Sequence, residues 1–130
     1  MDAQTRENVI TALHGEAFAH ARYRVFAESA RRAGEDDLAD LFAGIATVEL
    51  QEHFAELAEL VELAGCGSDN IRTAIQDENA EVEETYRRFA AQARSAGEEA
   101  VAASFDEIRE DERVHVDALE AALERLEVPV

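Results

Sequence analysis

Lysine and tryptophan are absent from this chain of 130 residues, and cysteine, proline and methionine occur once each. The single Cys66 cannot form an intramolecular disulfide, which fits a reducing compartment, and it cannot build a four-cysteine iron site within the chain. Pro129 stands next to the end, so no proline interrupts the preceding sequence, and only six glycines punctuate it. No apolar run approaches the roughly 20 residues that cross a bilayer. The polar start Met1-Asp2-Ala3-Gln4-Thr5-Arg6-Glu7 has no apolar stretch of the signal-peptide kind. A cytoplasmic protein without a membrane partner is expected. Positive charge is scarce as well: twelve arginines face thirty acidic residues, a net charge of −18. That balance repels phosphate backbones and anionic lipid, which excludes nucleic acid as a partner.

What is present favours helices. Ala, Glu, Leu and Arg dominate, and 47% of the residues are hydrophobic, enough for a buried core. Gly34, the Gly65-Cys66-Gly67 cluster and Gly97 divide the chain into four segments, and Pro129 stops the last. Ala33-Gly34-Glu35-Asp36 and Ala96-Gly97-Glu98-Glu99 each read as a helix-ending glycine followed by an acidic first turn, and Ser68 or Asp69 can cap the third helix. Apolar residues recur near a period of 3.6 in each segment. They include Val9, Leu13, Ala17, Phe26 and Ala30 in the first, and Leu38, Phe42, Ile45, Leu57 and Leu60 in the second. The third carries Ile71, Ile75, Val82, Phe89 and Ala93; the fourth carries Val101, Phe105, Ile108, Leu119, Leu123 and Leu126. Tyr23, Phe26, Gly34, Phe42 and Glu49 recur 63 positions later as Tyr86, Phe89, Gly97, Phe105 and Glu112. The reading is an all-α four-helix bundle, one domain over 1–130, built from duplicated hairpins at about 5–64 and about 69–127.

Carboxylates interrupt those stripes. The fourth steps through Phe105 and Ile108 to Glu112 and His115 before Leu119; the second reaches Glu49 after Ile45. Glu78 stands between Ile75 and Val82 with Glu81 beside it, and Glu16 and His20 stand between Leu13 and Tyr23. A bare carboxylate in a core is costly unless it is protonated, paired or bound to a cation. Arg87, Arg88, Arg109 and Arg113 mostly fall off the stripes, whereas a pair of divalent metals would use four carboxylates at once. Helices offering Glu and Glu-x-x-His toward one another suit di-iron or di-manganese centres, and oxygen-rich donor sets favour those metals over copper.

At these residues the chain resembles the rubrerythrins of the ferritin-like superfamily. The likeness lies in Gly15-Glu16 with Tyr23 and Phe26-Ala27, in Glu78-Asn79-Ala80-Glu81 with Tyr86 and Phe89, and in Glu112-Arg113-Val114-His115. It implies two iron ions, with manganese or a mixed pair as alternatives. By that resemblance Glu49 and Glu112 bridge the metals, Glu16 and Glu81 hold one, and Glu78 and His115 hold the other. Tyr23 and Tyr86 would donate hydrogen bonds to ligand carboxylates. The family's second-helix Glu-x-x-His is replaced by Glu49-Leu50-Gln51-Glu52-His53. Glu52 keeps the family spacing and is the favoured ligand, while His53 flanks Glu49 on the other side. His14, His20 and Glu56 receive no role.

The resemblance implies a non-haem di-iron oxidoreductase, of the erythrin type without a rubredoxin module, that reduces hydrogen peroxide or dioxygen. Electrons would come from a separate donor such as a rubredoxin. The alternative is a ferroxidase, favoured by the −18 charge and the extra Glu52; a third reading is a helical interaction module. Ferritin-like bundles run their second and third helices parallel. The link from Ala64 to Asn70 reaches at most about 25 Å, against roughly 42 Å for a helix of nearly 30 residues. Unwinding a turn, an up-down-up-down bundle, or a domain-swapped homodimer would each resolve the mismatch, and the swap is preferred.

Overall fold

The computed structural model describes residues 1–127, and every regular element among them is helical. Helix α1 spans Ala3–Arg32, opening where the Asp2 carboxylate accepts the Thr5 amide at 2.9 Å. Helix α2, Asp36–Val48, passes without a break through a π-helical turn at Glu49–Phe54 into α3, Ala55–Leu60. Helix α4, Gly67–Ala80, likewise continues through a second π turn, Glu81–Thr85, into α5, Tyr86–Ser95. Helix α6 occupies Glu99–Glu127; the proposed stop at Pro129 lies outside the described residues. The chain divides into two compact units, Met1–Ala64 and Gly65–Val130, each a helical hairpin.

Three helix ends share one geometry. Gly34 and Gly97 have φ of 76° and 80°. The amides of Gly34 and Glu35 bond back to Arg31 and Ala30, and those of Gly97 and Glu98 to Arg94 and Ala93. These paired bonds satisfy carbonyls that the last turn leaves free, and the left-handed conformation they need favours glycine. Helix α3 ends the same way at a residue with a side chain: Glu62 has φ of 51°, and Leu63 bonds back to Ala58. The chain therefore leaves this helix before the Gly65-Cys66-Gly67 cluster. Neither Ser68 nor Asp69 caps the next helix. Cys66 holds the cap position, and Asn70 folds back to accept the Gly65 amide at 2.7 Å.

The hairpin interiors are lined chiefly by small residues. Leu13, Ala27, Ala30, Ala39, Ala46 and Val61 are buried in the first, and Val82, Ala90, Ala102 and Val116 in the second. Larger members of the stripes lie beside this line: Phe26, Leu38, Val101, Ile108 and Leu126 stay exposed. Alanine at the contact lets paired helices approach closely, so bulky side chains flank the seam instead of filling it. The repeated aromatics form matching clusters. Tyr23, Phe26 and Phe42 meet at centroid separations of 5.4–6.1 Å, and Tyr86, Phe89 and Phe105 at 5.6–6.3 Å.

The helix ends give opposite predictions. Gly97→Ala should destabilise the chain by about 1–2 kcal/mol, whereas Glu62→Gly should stabilise it by up to ~1 kcal/mol because it relieves the same conformation. Urea denaturation followed by circular dichroism measures both.

Candidate metal centre

In the first hairpin α1 supplies Glu16, and the first π turn supplies Glu49 and His53. His53 Nδ1 lies 3.2 Å from Glu49 Oε2 and 3.5 Å from Glu16 Oε2. The second hairpin repeats the arrangement: His115 Nδ1 lies 3.1 Å from Glu112 Oε2 and 3.7 Å from Glu78 Oε1. In each triad, one donor atom from every residue lies within 4.8 Å of the others. The carboxylates are mostly shielded and the imidazoles half exposed: 28%, 17% and 51% for Glu16, Glu49 and His53, and 26%, 16% and 56% for Glu78, Glu112 and His115.

Such groups need a positive charge among them. Contact with Glu49 pushes the Glu16 carboxyl above its usual range, and the same hydrogen bond holds Glu49 below it. Glu49, and then Glu16, stabilises the charged form of His53 and raises its pKa. In the second hairpin the demand is sharper. Glu78 Oε2 is buried without a hydrogen-bond partner among the described residues, an arrangement a native protein rarely leaves uncompensated. Two carboxylates and an imidazole form a hard, mixed oxygen–nitrogen donor set that suits Fe(II) or Mn(II). The residues fit a divalent ion in each hairpin.

The other candidates fall elsewhere. Glu52 is exposed and outside the first triad, where His53 stands instead. Glu81 is half-buried and opens the second π turn without joining the triad. Tyr23 and Tyr86 pack in the aromatic clusters, and no hydrogen bond from either hydroxyl to a carboxylate occurs among the described residues. His20 Nδ1 sits 2.7 Å from the Ala46 carbonyl, a bond across the first hairpin that gives this unassigned histidine a structural partner.

The π turns account for the position of His53. Glu49 to His53 is four residues, whereas Glu112 to His115 is three. The longer spacing coincides with the first π turn, in which the Ala55 amide reaches back to Leu50. An i→i+5 turn accommodates one extra residue and returns the chain to its former face. Constant α-helical spacing points to Glu52; the wider turn delivers His53. Comparing the two halves residue by residue from Glu49 and Glu112 would have exposed the insertion.

The rubrerythrin family profile matches residues 48–123. Over 126 residues the chain is 29% identical to a rubrerythrin of Porphyromonas gingivalis, covering 87% of this chain and 62% of that protein. It is 32% identical to a rubrerythrin of Nitratidesulfovibrio vulgaris, covering 87% and 65%. A nigerythrin of the same organism is 30% identical, with 96% and 68% covered. The chain thus spans a little under two thirds of the two rubrerythrins. Among solved structures it is similar to a fully reduced, all-ferrous nigerythrin, with 27% identity, a TM-score of 0.50, and coverage of 100% of this chain and 71% of the other. The helical architecture and this neighbour fit a four-helix bundle.

Glu78→Gln isolates the unpartnered oxygen. In the presence of chelator it should leave the Tm unchanged or higher, because it removes a charge while keeping the shape. It should also weaken Mn(II) binding, each tenfold loss of affinity removing about 1.4 kcal/mol of metal-induced stabilisation at saturating metal. Thermal denaturation with and without Mn(II) measures both effects.

Proposed function

Because the chain belongs to the rubrerythrin family, we propose that it is a non-haem di-iron oxidoreductase that reduces hydrogen peroxide. The observation that carries this reading is the pair of Glu–Glu–His triads, with the unpartnered Glu78 oxygen in one of them. Glu16, Glu49 and His53 would hold one iron, and Glu78, Glu112 and His115 the other. Glu49 and Glu112, the less exposed carboxylate of each triad, would be donors in their own hairpins, and Glu81 would be available as a further donor. A ferrous pair bound there would supply the two electrons that, with two protons, convert hydrogen peroxide to two waters.

The chain's own groups orient the donors. Without a cation, contact with Glu49 favours the protonated form of the Glu16 carboxyl, and a bound divalent ion would take the place of that proton. The alanine-lined seams keep the helices close enough for short carboxylate side chains to meet. A rubredoxin-type donor would reduce the centre.

Assembly belongs to the same reading. Only six residues, Val61 to Cys66, separate α3 from α4, and they reach at most about 21 Å. The rod from Asp36 to Leu60 is roughly 37 Å long. A domain-swapped homodimer, pairing the first hairpin of one copy with the second of the other, accommodates that link and gives two centres. The −18 charge supports a second reading in which Fe(II) is itself the substrate.

Stopped-flow oxidation of the diferrous protein should be at least about tenfold faster with peroxide than with air-saturated buffer, a barrier difference of ~1.4 kcal/mol. Equal rates, with continued turnover of excess Fe(II), would select the ferroxidase. Light scattering should give twice the chain mass; a monomer that still binds two irons would eliminate the swap.

A further inference from the structure

In a regular α-helix the Tyr86 amide would bond to the Val82 carbonyl. Here it bonds to Glu81, one residue further back, as the second π turn requires. Arg109 of α6 occupies the acceptor so released: its Nε donates to Val82 O at 2.6 Å across the hairpin. Val82 is only 2% exposed and Arg109 is half-buried, so water is a poor substitute for that donor.

The turn itself marks an inserted residue. Tyr86 follows Glu78 by eight residues, whereas Tyr23 follows Glu16 by seven. On one side of the turn, Tyr86 packs with Phe89 and Phe105 as Tyr23 packs with Phe26 and Phe42. On the other, Glu78 joins Glu112 and His115 as Glu16 joins Glu49 and His53. Without the wider turn, the extra residue would rotate Glu78 by about 100° away from its partners. The internal repeat supplies a control: the residue 63 positions before Arg109 is Ala46, and it faces a helix, α1, that has no π turn.

We propose that Arg109 is a positioning residue: by capping the Val82 carbonyl it secures the second π turn and keeps Glu78 on the face shared with Glu112 and His115. Its relevance to metal rests on the reading of the triads given above. Arg109 gives no atom to the ion and acts only through the backbone.

The test uses the full chain and three changes: Arg109→Met, Arg109→Lys and deletion of Glu84, an exposed residue inside the turn. Hydrogen exchange, read in chelator, should rise at the Tyr86 and Arg87 amides in Arg109→Met and stay unchanged over Glu49–Phe54. Co(II) titrated by its visible absorption should bind about tenfold more weakly to Arg109→Met, with part of the affinity restored in Arg109→Lys. Deleting Glu84 should close the turn to an α-helix and return an amide to Val82 O. In that background Arg109→Met should cost no further affinity. Unchanged exchange at Tyr86 would overturn the proposal. So would an equal Co(II) loss with and without Glu84, or a deletion variant that fails to fold. A wild-type chain that takes up no Co(II) would defeat the metal reading instead, and exchange at Tyr86 would still decide the role of Arg109.

Discussion

Two glutamates facing each other across a narrow helical seam constitute the constraint on which this protein turns. In the first hairpin the Glu16 carboxyl is raised by its contact with Glu49, Glu49 is lowered by the hydrogen bond it shares with Glu16, and His53 is favoured in its charged form beside them. A divalent ion answers the same demand with more charge and with directed bonds. Where the carboxylate oxygen is both buried and without a partner among the described residues, as at Glu78, the need for a compensating group is plainest. The alanines at the seam are the other half of the arrangement. Ala39 and Ala46 in one hairpin, and Ala90 and Ala102 in the other, are nearly inaccessible, and that closeness is what lets glutamate side chains converge from facing helices.

Duplication shapes everything around the triads. The aromatic clusters, the glycine turns and the second-helix glutamates repeat at one offset, and exposures within the two triads agree closely. Each half then departs from the repeat by a single residue, in the second rod of the first hairpin and in the first rod of the second. Each departure coincides with a π turn. Insertions inside helices are usually disruptive because they rotate everything that follows. A π turn confines the disturbance to about one turn of helix, which leaves the apolar stripe beyond it in phase.

Much of this was legible in the sequence. The absence of strand patterns, the sparse glycines and the 3.6-residue period suffice for the all-α class, and the +63 repeat suffices for the paired hairpins. Glu16, Glu49, Glu78, Glu112 and His115 stood out because a carboxylate or imidazole at mid-stripe has no cheap alternative explanation. Glu52 stood out because it keeps the spacing of a helix that stays α, whereas the structure brings His53 beside Glu16 and Glu49. Helical periodicity assumes 100° per residue, and the π turn breaks that assumption beside the first triad. The end of α3 was obscured for a related reason, since Glu62 adopts a conformation that composition assigns to glycine. The alanine seam was hidden by attention to large residues; hydropathy alone does not say which apolar residues lie at the line of closest approach.

The cross-hairpin clasps also separate the halves electrically. In the first hairpin the Ala46 carbonyl is met by His20, an imidazole with no permanent charge; in the second the Val82 carbonyl is met by the guanidinium of Arg109. Two hairpins grown from one repeat are thus fastened by unlike groups, a ring that can shed its charge in one and a permanent cation in the other, so that acid and base would loosen them unequally.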